Sequence, residues 1–547
     1  MKLLRRALLG SLLIVFFAFG WIWLNRPQRT DMSDSAPASA LVYLESNSLM
    51  EVADGIAATD TWKLVKPLTG EAKTDWPSLR MRRLIAFTGI GPTSSVILSR
   101  AQVAIVMLDL GSREEAGTMT LKPEVALVIE THTSKRRISA TVESALQTFA
   151  QRLYTNPTAK RVVVNGDEFL VWTAADDNRQ IVGIIDDTVV IVANSDRAAK
   201  ACLEARRGLR PNLHNDPELQ QMKTSLSAET ALAFGFVPSS RAPELLALLT
   251  PVALGRPPGD AQIDGLVARS AAKIFSSAGW TAKLTDGYME DHYFFTLKPA
   301  VVSRMRPLLE SSQSAPPTTF VAEGTQSFTV YRFKQPEQTW QELQTTLSSQ
   351  LDTLSAVLLT SVLKSGLTPY GIDDPRSFLK LVGPEVVTLR FNSNEASSVL
   401  IARIRDESGL RELLERSASQ IPEAGEIKPT VHYQDGFVLM GTERDVQRSL
   451  QAAAGQRRAD LKYLGREPTS SIVTYSKDSE RVANFIAAVA RAQNTAARVN
   501  DGTALEQQLQ IPYSVTETSL TEFGLNRRTR SPFGQFGALV PLLFPPK

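Results

Sequence analysis

Glu290-Asp291-His292 sets a carboxylate beside an imidazole inside a stretch, Tyr288 to Leu297, that alternates polar and apolar residues. Such a pair could serve as a general base, because a nearby negative charge moves the imidazole pKa across neutrality. On an extended strand Glu290 and His292 share one face, and Met289, Tyr293, Phe295 and Leu297 share the other. A half-buried antiparallel strand needs a solvated face in any case, and that simpler role is the expected one. The other histidines, His132, His214 and His432, stand far apart in the chain. None lies at i, i+3 or i+4 from another or from Cys202, so no short metal-binding run exists.

Ser270-Ala-Ala-Lys273 and Ser361-Val-Leu-Lys364 match the S-x-x-K tetrad of penicillin-recognising enzymes. The companion S-D-N and K-T-G motifs are missing, as is a G-x-S-x-G elbow, so the matches read as chance in a serine-rich chain. Gly89-Ile-Gly-Pro92 lacks the later glycines and the Lys-Ser/Thr of a phosphate loop, and its proline removes a backbone donor. A turn is the expected reading. Cys202, between Ala201 and Leu203 on a helical stretch, reads as a small core residue. No catalytic, cofactor-binding or metal-binding residue is assigned, no cofactor is expected, and the chain is expected not to be an enzyme.

Basic clusters at Lys135-Arg-Arg137, Arg206-Arg207, Arg457-Arg458 and Arg527-Arg528 fall at turns or helix ends. A cationic helix C-terminus complements the macrodipole, which accounts for Arg206-Arg207 without a ligand. Contact with anionic lipid headgroups is the competing reading, but the clusters are spread along the chain, and solvated faces are expected. The 60 basic residues barely exceed the 57 acidic ones, for a net charge of +3. That surplus is too small to release counterions from nucleic acid, which is excluded as a partner. With 43% hydrophobic and 21% charged residues in 547, the chain is globular and long enough for several domains. A single cysteine rules out intramolecular disulfides.

The elements that would position any site begin with the chain start. Residues 1–6 form a basic start, residues 7–24 an uncharged apolar run, and residues 25–40 a polar linker. A helix over the apolar run would be about 27 Å long, enough to cross a bilayer core. Trp21 and Trp23 sit at its far end, where amphipathic rings prefer the headgroup layer. A small-x-small cleavage site occurs only at Ala38-Ser39-Ala40, well past the run, so an uncleaved anchor is expected over a signal peptide. Lys2, Arg5 and Arg6 precede the run and keep that end in the cytoplasm. Leu354 to Leu363 is interrupted by Ser355, Thr360 and Ser361 and cannot span, so one crossing is expected.

Beyond residue 40 the chain repeats itself. Asp187-Thr-Val-Val-Ile-Val-Ala193 with the helical stretch up to Gly208 matches Asp435-Gly-Phe-Val-Leu-Met-Gly441 with the stretch up to Gly455. Val103 to Leu108 matches Val386 to Leu389, and Ala231 to Phe236 matches Ser471 to Tyr475. Gly279 to Leu297 and Ser514 to Arg528 both read as paired strands. The expected fold class is α+β: two homologous halves, 41–310 and 318–547, of antiparallel or mixed sheet packed with helices. A turn-rich hinge, 311–317, separates them, and one transmembrane helix precedes them. Thr61-Trp62 and Thr339-Trp340 fall at the same point of each half; the threonines are expected to cap short helices and the tryptophans to pack into the cores of their own halves.

The order of an anchor, Pro37-Ala-Ser-Ala-Leu-Val-Tyr43, Thr61-Trp62, the strand–helix–glycine unit and Leu213-His-Asn-Asp-Pro-Glu218 resembles the bacterial DUF3352 family of membrane-anchored proteins. The resemblance implies the topology and carries over no catalytic residue. The expected function is a non-enzymatic binding or scaffolding module of the cell envelope, anchored in the cytoplasmic membrane with its C-terminal domain periplasmic. Its expected partners are the membrane and an envelope protein. The competing reading is an envelope hydrolase whose site is assembled only in the tertiary structure. The topology is open to direct test: protease added to spheroplasts should remove everything beyond about Arg29, whereas full protection in sealed, right-side-out cells contradicts it.

Overall fold

The computed structural model describes residues 29–69, 101–115, 118–175, 179–245, 272–309, 318–350, 367–392, 398–420, 429–459, 470–493, 495, 497 and 501–543. The expected anchor (7–24) and hinge (311–317), the Gly89–Pro92 turn, Ser361–Lys364, Ser270 and Leu354–Leu363 lie outside these residues. Among the described residues no helix is long and apolar enough to cross a membrane.

The N-terminal half runs β1 (Val42–Ser46), α1 (Leu49–Ala58), α2 (Asp60–Val65), β2 (Gln102–Glu115), β3 (Thr118–Glu130) and α3 (Lys135–Leu153). It continues through β4 (Thr158–Val164), β5 (Asp167–Thr173), β6 (Gln180–Asp186), β7 (Val189–Ala193), α4 (Asp196–Arg206) and α5 (Pro217–Ser225). β8 (Ala233–Val237), β9 (Phe275–Thr285), β10 (Tyr288–Leu297) and α6 (Pro299–Met305) close it. The C-terminal half runs β11 (Ser327–Arg332), α7 (Pro336–Gln350), α8 (Pro375–Leu381), β12 (Val382–Arg390), β13 (Ser398–Ile404) and α9 (Glu407–Gln420). Then come β14 (Thr430–Gln434), β15 (Phe437–Gly441), α10 (Glu443–Ala453), β16 (Ile472–Ser476), α11 (Ser479–Ala492) and α12 (Gly502–Gln508). It ends with β17 (Ser514–Leu520), β18 (Gly524–Ser531) and α13 (Phe536–Leu543).

Every described strand pairing is antiparallel, and together the pairings make one α+β sheet rather than a mixed one. From the centre outward one wing is β10, β9, β8, β1, β2, β3, β7, β6, β5, β4. The other is β18, β17, β16, β11, β12, β13, β15, β14. The strand holding Val103–Leu108 and the strand holding Val386–Leu389 thus stand at the same place in their wings, as do β7 and β15. The wings meet where β10 lies against β18, from Met289 opposite Ser531 to Thr296 opposite Gly524. Gly524 is needed there, since a Cβ would come within 2.0 Å of the Phe295 carbonyl oxygen. The β14–β15 hairpin turns on Asp435 and Gly436, both at positive φ (51° and 78°), the pairing that two-residue turns demand.

Directly opposed residues share a sheet face. On one face Tyr43, Val106, Ile191 and Phe236 pack with Cys202, Leu219 and Met222 of α4 and α5. On that same face Val330, Val387, Ile401 and Val473 pack with Val446 of α10. The opposite face is covered by α3 at one wing, by α8 and α9 at the other, and at the centre by α1, α2, α11 and α13.

Three expectations need correction. The stretch read as a linker is packed from residue 31: Met32, Ser33, Ala36 and Ala40 are buried, and Leu213 donates its N–H to the Ala36 carbonyl. Its small residues allow close approach, and Asp31 satisfies the turn by accepting from Ser33. The helix cap is Thr59, whose hydroxyl accepts from the Trp62 N–H, while Thr61 lies buried inside α2. Thr339 likewise lies inside α7, and its hydroxyl donates back to the Gln335 carbonyl four residues earlier. Finally, Trp62 is buried, but its core is not that of its own half alone: beside Met50, Ile56 and Val65 its ring meets Phe485 of α11 edge-on at 6.2 Å, and Phe485 stacks on Phe533. Trp340 is only half-buried.

Because Trp62 and Phe485 come from opposite halves, truncating either should weaken both. Trp62→Ala should lower stability by about 3–5 kcal/mol in denaturant unfolding. Fluorescence reporters in each half should shift together, and a midpoint shift confined to the N-terminal half would refute a shared core.

Candidate functional site at the strand junction

Between its two helix-covered cores, the sheet face carrying Tyr43 and Val330 exposes a polar strip over β10, β18 and β17. Register places Glu290 and His292 of β10 beside Arg530 and Arg528 of β18, with Glu517 and Val515 of β17 next in line. Glu290, Arg528, Arg530, Glu517 and Val515, with Ser470, Ser519 and Asn526, line a groove of about 270 Å³, and His292 stands beside it on the same face. Glu290 accepts from the Arg530 Nε at 3.0 Å, and Ser470 donates to Glu517 at 3.0 Å. His292 Nε2 donates to the Asn526 side-chain oxygen at 2.5 Å. Burial first, then the Arg528 charge, pull the His292 pKa below its usual value, so the ring is neutral at pH 7. Arg528 has no carboxylate within ion-pair distance among the described residues.

The expected solvated face is therefore a half-buried groove floor. Its carboxylate and imidazole do not make a base pair: Glu290 turns to Arg530, and His292 turns to Asn526. The groove presents opposite charges in a fixed array, suited to holding a polar chain or headgroup by complementary ion pairs.

Asp291, between them in sequence, points the other way, into the core under α11 and α13. It is buried, and its Oδ1 accepts from the Trp280 indole N–H at 2.9 Å. The Gln535 backbone N–H also donates to it. Burial raises its pKa to about 7 against these bonds and the Arg481 charge. Tyr293, on the same face, is pushed up to about 12 by burial and bonds the Gln535 side chain. Asp478, raised by burial, accepts from Ser514. These groups fix the helices onto β10 and β17, on the sheet face opposite the groove. Strand alternation puts Asp291 on the Met289 face, so a carboxylate at an inward position is the signal that sequence reasoning missed.

The remaining candidates are dispersed. Cys202 is fully buried and its thiol is pushed up to about 12, which makes it unreactive. His214 contacts Asp31 at 3.1 Å, His132 lies 3.9 Å from Glu130, and His432 is exposed on β14. Arg206 and Arg207 are held by Asp186 and Asp167. Among the described residues no group of three or more His, Cys, Asp or Glu could hold a metal ion.

No family model matches the chain. No curated protein matches it either. A solved structure of TP0453, in its crystal form IV, aligns over 51% of this chain and 86% of its own at 12% identity, with a TM-score of 0.26. A score that low carries neither fold nor function across.

Asp291 yields a pH signature. A carboxyl whose folded pKa exceeds its unfolded value stabilises the fold fully below about pH 4, and that contribution is lost as pH rises through about 7. The stability of the protein relative to Asp291→Asn should therefore fall by up to about 4 kcal/mol between about pH 4 and 7. Parallel pH profiles for the two proteins would contradict this.

Proposed function

We propose that this chain is a single-pass, membrane-anchored protein of the bacterial envelope whose exported part binds a partner in the junction groove without catalysing a reaction. The carrying observation is the groove itself: Glu290, Glu517, Asn526, Arg528 and Arg530 gathered on one open stretch of sheet, with His292 bonded to Asn526 at its side. A neutral, already bonded imidazole and an arginine-bound carboxylate favour binding over proton transfer. The strongly raised carboxyl, Asp291, faces the opposite side. The reading includes residues 7–24 as anchor, membership of the family that the chain resembles, and residues 41–310 and 318–547 as duplicated halves. Matching strand order in the two wings supports the last point.

The test exploits strand alternation. A photo-crosslinking side chain at Ser519 would face the groove, and one at Thr518 would face the other side of the sheet. In intact cells carrying the full chain, Ser519 should capture a neighbour that Thr518 does not, and Arg530→Glu should abolish the capture. Identical adducts from both positions, or capture insensitive to Arg530→Glu, would remove the groove as the binding surface.

A further inference from the structure

We infer that the sheet end formed by the start of α3, the β6–β7 turn and the end of α4 lies against anionic lipid headgroups of the membrane that holds residues 7–24. The inference rests on the anchor reading above and adds to it a second, electrostatic contact.

The first observation is where the chain enters the fold. Thr30 donates through its N–H and its hydroxyl to the Gln102 side-chain oxygen at 2.9 and 3.2 Å, and the Gln102 amide donates back to the Thr30 carbonyl at 2.9 Å. Asp31 is fixed by Lys223 at 3.1 Å, and Lys223 also holds Glu45 at 2.9 Å. The chain is therefore pinned from Thr30 onward. Leu24, the last apolar residue of the anchor, precedes Arg29 by so few residues that full extension spans at most about 18 Å. The body cannot drift far from the bilayer, and the end carrying Gln102 faces it.

The second observation is what else occupies that end. Gln102 pairs with Glu130 across β2 and β3, and Lys135 follows Glu130 by one short turn. Lys135, Arg136 and Arg137 are all exposed, and none has a carboxylate within ion-pair distance among the described residues. The Lys135 charge acts on Asp167, which also binds Arg207, so the triplet stands beside the Arg206-Arg207 cluster. Those two arginines are matched by Asp167 and Asp186; against Asp187 in the adjoining turn and buried Glu130, the exposed Lys135-Arg-Arg137 triplet leaves the end cationic by one charge.

Local structure offers no reason for the triplet. It fills the first turn of α3, where no acidic residue is present and Ser134 makes no side-chain cap. Cations there oppose the helix macrodipole. A negatively charged bilayer surface within reach supplies the missing partner, since its surface potential attracts each Lys or Arg beside it. Two clusters that are separate in sequence, Lys135-Arg-Arg137 and Arg206-Arg207, thus converge at one end.

The test uses the full chain in lipid nanodiscs containing phosphatidylglycerol, with a nitroxide on the lipid headgroup. A fluorophore is placed in turn at Arg29→Cys, Arg136→Cys and Lys122→Cys, the last at the far end of β3 from Glu130; buried Cys202 does not label. Emission should be lost at positions 29 and 136 and retained at 122. Lys135→Glu with Arg137→Glu, or replacement of phosphatidylglycerol by phosphatidylcholine, should restore emission at 136 and leave 29 quenched. Retained emission at 136 beside a quenched 29 overturns the lipid contact and leaves the anchor standing. Retained emission at both overturns the anchor reading as well. Quenching at 136 that ignores both charge reversal and lipid composition shows mere proximity and also overturns the inference.

Discussion

The pairing of β10 with β18 is the constraint on which the rest depends. Each half ends in a hairpin whose last strand would otherwise present a row of unpaired N–H and C=O groups. Laid against one another, the two strands satisfy those groups and turn two sheets into one. α11 then covers the seam. Its buried face, including Val482, Phe485, Ile486 and Val489, packs on Trp62, Ala282 and Met289 from the N-terminal half. Hydrogen bonding across the seam and apolar burial beneath it act on the same residues, so neither half is complete alone.

The period of two along a strand divides the seam into unlike surfaces. Met289, Asp291 and Tyr293 face α11 and α13, where the polar groups are consumed by Trp280, Gln535 and one another. Glu290 and His292 face the other way, Glu290 into the groove where Arg528 and Arg530 remain within reach of a ligand. One side locks the helices down and the other is left to bind. A buried carboxyl with a pKa near 7 is what an activity-based search would select first, and here it belongs to the locking side.

Sequence patterning made the strands and the helix starts readable, because apolar period and turn chemistry are local. Asp216-Pro217 opens α5 with Asp216 accepting from the Glu218 N–H, as an N-cap before proline should. Interactions that cross between distant segments were not readable. Nothing near Trp62 announces Phe485, and nothing in residues 31–40 announces a dock on Leu213 and Lys223. The groove falls in the same class. Glu290 and His292 were visible, but Arg528 and Arg530 join them only through strand pairing. The Thr61 cap failed by two residues, because the two threonines, Thr59 and Thr61, compete for one helix start and only Thr59 has the extended backbone of a cap.

Native-state hydrogen exchange at the amides of β10 and β18 tests the seam most directly. If the pairing and the helix beneath it unite the two wings, these amides should exchange only through global opening, with the same free energy as amides of β6, β7 and β13. Exchange at β10 and β18 that is much faster than in those strands would mean that the wings part in the native state, and the account of one sheet with a seam-built groove would be wrong.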